Sequence, residues 1–148
     1  MSDLQDLYQS IILDHNRRPK NYGALAGATN RAEGRNPLCG DEVSVELRME
    51  HDAIQEVRFT ATGCAVSRAA ASIMTQAVKG KSRTDVERLF TQFHDLVTGK
   101  LKLTAQEARG MGEIAAFSGV SRFPMRVKCA SMPWHTLQAA LRADGMAT

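Results

Sequence analysis

The sequence predicts an α+β fold: a small antiparallel sheet of about three strands, packed by helices that lie mainly in the C-terminal two-thirds. Residues 43–49 and 57–61 alternate apolar and polar with a period of two, the signature of half-buried strands. From Gly63 onward, apolar residues recur at helical spacing instead. The chain has 148 residues, enough for one substantial core, so residues 1–148 are expected to form a single domain.

Taken in order, the first element is an amphipathic helix. Ser2 and Gln5 make a capping box, Leu4, Leu7, Ile11 and Ile12 follow at helical spacing, and Pro19 stops the pattern. A loop rich in Gly, Asn, Ala and Pro runs from Asn21 to Gly40, with residues 29–34 as a candidate extra strand. Val43, Val45, Leu47 and Met49 form one strand, His51-Asp52 the turn, and Val57, Phe59 and Ala61 the next, which makes a hairpin. A helix is expected from Ala65 to Lys79 with Gly80 at its end, and another from Thr84 to Val97 closing at Gly99. Thr104 and Glu107 suggest a second capping box. After a Gly-punctuated stretch, Gly110 to Gly119, the last helix runs from about Pro124 to Leu141, with Pro133 kinking or splitting it. Met74, Met111 and Met125 read as core filling.

Composition excludes several classes. No apolar run approaches the ~20 residues of a membrane span, and Met1-Ser2-Asp3-Leu4-Gln5 does not resemble the basic start of a secretory signal. The net charge of +3 is mild and spread out, and two Tyr with one Trp leave little for base stacking. Neither nucleic acid nor a membrane is an expected partner. Three cysteines, an odd number, argue for reduced thiols in a cytoplasmic protein rather than a disulfide framework.

Those thiols carry the candidate chemistry. Cys39 lies in Pro37-Leu38-Cys39-Gly40-Asp41 before the first strong strand, and Cys64 in Thr62-Gly63-Cys64-Ala65 after the second. A hairpin brings the start of one strand beside the end of the other, so Cys39, Asp41 and Cys64 share one end of the sheet. Gly40 and Gly63 leave room for a metal or a partner to approach. Cys129 stands in Arg126-Val127-Lys128-Cys129-Ala130, and spacing alone does not say whether it reaches the other two. Three thiolates and a carboxylate would suit zinc or iron–sulfur chemistry over magnesium or calcium. Two loop cysteines and one core cysteine, all inert, is the competing reading. His15, His51, His94 and His135 show no ligand spacing and are expected at the surface or at helix caps.

At these residues the chain resembles the SufU branch of the IscU/NifU N-terminal family of iron–sulfur cluster assembly proteins. The matching stretches are Leu7-Tyr8 through Asp14-His15, Asn36 through Asp41, Gly63 through Ser67, Ala71 through Ala77, and Phe117 through Ala130. Scaffold-type members carry His directly before the third cysteine, where this chain has Lys128, and a shorter connection between the second and third cysteines. The Gly110–Pro124 region resembles the SufU insertion. Arg68 and Pro133 depart from the pattern.

The resemblance implies Cys39, Asp41, Cys64 and Cys129 as ligands of zinc (Zn²⁺), with iron or a 2Fe–2S cluster as the alternative occupant. It implies sulfur acceptance from the persulfide of a SufS-type cysteine desulfurase, a sulfurtransferase-like role, with delivery to downstream iron–sulfur assembly proteins. In that picture a desulfurase histidine displaces Cys39 from the metal, and Cys39 becomes the acceptor. Arg126 is expected to orient Asp41 or to meet the partner. A scaffold that assembles and transfers a 2Fe–2S cluster is the alternative function.

Overall fold

The computed structural model describes residues 3–36 and 40–142. The element order is α1 (Asp3–Arg17), β1 (Asn30–Asn36), β2 (Asp41–Glu50), β3 (Ala53–Thr62), α2 (Ala65–Val78), α3 (Arg83–Val97), α4 (Ala105–Met111), two 3₁₀ turns (Gly112–Phe117 and Val120–Arg122) and α5 (Pro124–Arg142). The three strands form one antiparallel sheet in the order β1-β2-β3. The expected α+β architecture is therefore observed. The Ser2 capping box falls outside the described residues.

The hairpin follows from its turn. Glu50 pairs with Ala53, and the two residues between them, His51 and Asp52, both have positive φ (54° and 61°). That is the backbone a two-residue hairpin with the sheet's own twist requires. Val43, Val45 and Leu47 of β2 and Val57, Phe59 and Ala61 of β3 are buried, as their alternation predicts. Ile54 is buried too, although it is three residues from Val57. The register shift beside Arg48 and Met49 accounts for it: an extra residue in β3 turns Ile54 back onto the core face.

Helices α2, α3 and α5 close the core over this sheet. Ser82 caps α3 by accepting from the Asp85 amide at 3.2 Å. The Thr104–Glu107 capping box forms reciprocally, at 3.0 and 3.2 Å. Phe93 stacks on Trp134 (4.9 Å between centroids) and meets Phe117 edge-on (5.5 Å), so the first 3₁₀ turn is anchored in the core by an aromatic cluster. Pro133 is buried within α5, which continues past it to Arg142 rather than splitting.

Two expectations are corrected. Met74 is buried and Met111 packs partly against the core, but Met125 is 53% exposed, because the first turn of α5 projects beyond it. His15 is neither a surface nor a capping residue: it is 2% exposed. Its Nδ1 lies 2.6 Å from Ser72 Oγ on α2 and its Nε2 lies 3.1 Å from Glu113 Oε1 on the 3₁₀ turn. A helical position at the end of α1 that meets two other elements is inside the protein, which local spacing does not reveal.

Candidate metal centre

The centre sits where β2 begins, β3 ends and α2 starts. Glu42 pairs with Thr62, so the next residues on each side, Asp41 and Gly63, face one another. Gly63 has φ of +116°, and a Cβ there would collide with the Asp41 carboxylate and lie 2.8 Å from its Cα. Only glycine allows both that backbone and that approach. Beyond it, the Cys64 amide donates to Asp41 Oδ1 at 2.7 Å. Cys64 is the N-cap of α2, with its Sγ accepting from the Ser67 amide at 3.4 Å. The sulfur is thereby held against the positive end of the helix.

Cys129, in the second turn of α5, completes the cluster. Its Sγ, Cys64 Sγ and an Asp41 carboxylate oxygen all lie within 4.8 Å of one another. Asp41 is fully buried, Cys129 is buried and Cys64 half-buried, and neither cysteine forms a disulfide. Zn–S bonds of about 2.3 Å put the sulfurs of a tetrahedral site about 3.8 Å apart, so closing on an ion needs a shift of at most about 1 Å. The donor set also fits: two soft sulfurs and a hard oxygen suit zinc or iron. A fully buried carboxylate with two thiols beside it is a poor apolar core and a good cation site.

Cys39 lies outside the described residues. Its neighbour Gly40 has φ of +73° and donates to the Asn36 carbonyl at 2.8 Å. Arg126 is exposed and lays its guanidinium over the Phe123 ring, 4.9 Å from the centroid. Lys128 is exposed, and none of the four histidines joins the cluster. Arg68 stacks on Tyr22, 4.8 Å from its centroid. What sequence reasoning missed is the support beneath Asp41 and Cys64: the Cys64 amide on Asp41 and the Ser67 amide on Cys64. The signal was a Cys in an N-cap position, where a side chain accepts from the amide three residues on.

The NifU-like N-terminal domain matches residues 7–130, a stretch that contains Cys39, Asp41, Cys64 and Cys129. The chain belongs to that family. Among family relatives, the iron-sulfur cluster assembly scaffold protein IscU of Streptococcus pyogenes is 34% identical over 99% of this chain and 90% of its own. The zinc-dependent sulfurtransferase SufU of Bacillus subtilis is 35% identical over 97% of this chain and 95% of its own. A crystal structure from Fervidobacterium islandicum, described as a putative iron-sulfur cluster assembly scaffold protein for the SUF system, superposes with a TM-score of 0.81 at 32% identity, covering 93% of this chain and 98% of that one. A NifU-like N-terminal protein from Brucella abortus, at 19% identity, shares the fold with a TM-score of 0.81 and covers 99% of this chain and 100% of its own. The resemblance to the IscU/NifU family is thus borne out. Identity does not choose between the scaffold and the sulfurtransferase, which differ by one percentage point.

Proposed function

We propose that this NifU-like domain is a zinc-dependent sulfur-relay protein, which accepts sulfur from the persulfide of a SufS-type cysteine desulfurase and passes it to iron–sulfur assembly proteins. The observation that carries the reading is the convergence of Asp41, Cys64 and Cys129, with lysine rather than histidine at position 128. A lysine ammonium offers no lone pair, and the resemblance to SufU makes Cys39 the fourth donor. Bound there, zinc would hold the thiols as thiolates at neutral pH and do no redox chemistry of its own.

Cys64 is tied to a helix cap and Cys129 lies within α5, so Cys39 is the thiol best suited to leave and react. Its thiolate attacks the outer sulfur of the partner's persulfide. One S–S bond forms as another breaks, the partner cysteine departs as thiolate, and Cys39 carries the persulfide with no net oxidation. Arg126, exposed in the turn before Cys129, suits contact with the partner. No described helix is long and apolar enough to cross a membrane.

Desulfurase turnover with this protein present tests the proposal. Wild type should stimulate it and gain one sulfur atom on Cys39 by mass spectrometry, while Cys39→Ala should do neither. Stimulation undiminished in Cys39→Ala would refute the relay. The similarity to the Streptococcus pyogenes IscU favours a second reading, a scaffold for a 2Fe–2S cluster. Anaerobic reconstitution separates the two: a stable cluster, formed in preference to zinc and transferable to an apo-protein, would favour the scaffold.

A further inference from the structure

The sheet has two outer edges, and they are treated differently. The β3 edge is covered at both ends: Gly23 donates to Phe59 and Phe59 to Asn21 at 2.8 and 3.1 Å, while Ile54 donates to Lys81 and Gly80 to Ile54 at 2.9 and 2.7 Å. Among the described residues no strand or bridge covers the outer edge of β1. Proteins generally blunt or cover such edges, because unpaired backbone groups recruit another strand.

The same edge borders a groove. A cavity of about 620 Å³ runs between β1, the end of α3 and α5, and four consecutive β1 residues, 33–36, line it. Alternate strand residues face opposite sides of a sheet, so a cavity touching four in a row wraps the edge itself. A second cavity, of about 530 Å³, reaches Glu33, Gly34 and Arg35 with Ser44 and Thr60 from the outer face. Gly34 thins the strand between them, and a Cβ there would collide with the Thr136 hydroxyl of α5.

The chemistry of the groove selects an occupant. Val127, Met132 and Ala139 give it an apolar floor, while Arg35 and Lys128 stand against one acid, Glu33. Arg35 pairs with Glu42 at 3.2 Å, with both groups exposed, an arrangement worth little. Lys128 has no acidic partner among the described residues. We propose that the β1 edge and this groove form a docking site for an extended acidic segment of a partner protein, which adds a strand to β1 and sets apolar side chains against α5. Backbone pairing supplies affinity, and the groove and its cations supply the choice of sequence. The docked segment lies beside Lys128 and Asn36, one residue from Cys129 and from the 37–39 segment respectively. The proposal goes beyond sulfur relay and is decided by binding alone.

The probe is a capped seven-residue peptide of alternating valine and glutamate, with a lysine-for-glutamate counterpart as control, titrated into the isotope-labelled full chain. The acidic peptide should move amide resonances of residues 33–36 and 128–139, and the basic one should not bind. Arg35→Glu combined with Lys128→Glu should weaken the acidic peptide about tenfold or more. Ala139→Trp, a change at an exposed position, should block it by filling the groove. Equal binding of both peptides, shifts centred elsewhere, or no binding by the well-folded wild type at millimolar peptide would overturn the proposal.

Discussion

At the scale of single residues, the candidate centre depends on a glycine as much as on the side chains that would bind an ion. Gly63 holds a left-handed φ of +116° in contact with the Asp41 carboxylate. Gly63→Ala should therefore destabilise the fold by about 1–3 kcal/mol through backbone strain alone, read from denaturant midpoints. It should also lower bound zinc, since the added methyl displaces Asp41. Asp41→Ala removes the acceptor of the Cys64 amide and should lower zinc content too, with a stability loss of about 1–3 kcal/mol. The convergence of Asp41 and Cys64 was legible in the sequence because glycine, cysteine and aspartate cluster in two short segments that a hairpin must juxtapose. Cys129 was not placed by any such rule: its arrival depends on how α5 crosses the sheet, which is long-range packing.

At the scale of elements, the strands with alternating Val, Leu and Phe were plain, and β1 was faint for a physical reason. Asn30, Ala32 and Gly34 supply its inward side, and none is a large apolar residue, because α5 packs close against it. His15 shows the same limit. The Lys20 amide donates to Ser72 Oγ at 2.7 Å, and the two ring nitrogens of His15 lie within hydrogen-bond distance of that same oxygen and of Glu113. That chain ties α1, α2 and the first 3₁₀ turn together. His15→Ala should cost about 2–3 kcal/mol, since it leaves a cavity and takes one of two polar partners from the buried Ser72 hydroxyl. Glu113→Gln, half-exposed and still able to accept, should cost less than about 1 kcal/mol. Thermal or urea unfolding compares the two.

At the scale of the whole molecule, stability should depend on pH and on metal. Burial, and then the positive charge of His94, hold His135 below its ordinary value of 6.5. The folded state thus binds this proton less readily than the unfolded one, and the associated stability, complete at pH 7, is lost as pH falls below about 6.5. Urea midpoints of wild type should decline from pH 7 to 5 more steeply than those of His135→Asn. Zinc, if it binds the native cluster and not the unfolded chain, should raise the melting temperature of wild type but not of a Cys64→Ser, Cys129→Ser double variant. The central claim is one ion held by three sulfurs and one oxygen, with Cys39 the third sulfur. X-ray absorption at the zinc edge on the purified full chain reads this directly. The account predicts about three sulfur scatterers near 2.3 Å with one lighter ligand, falling to two sulfurs in Cys39→Ser. Two sulfurs in both proteins, or an iron–sulfur signature in place of zinc, would contradict it.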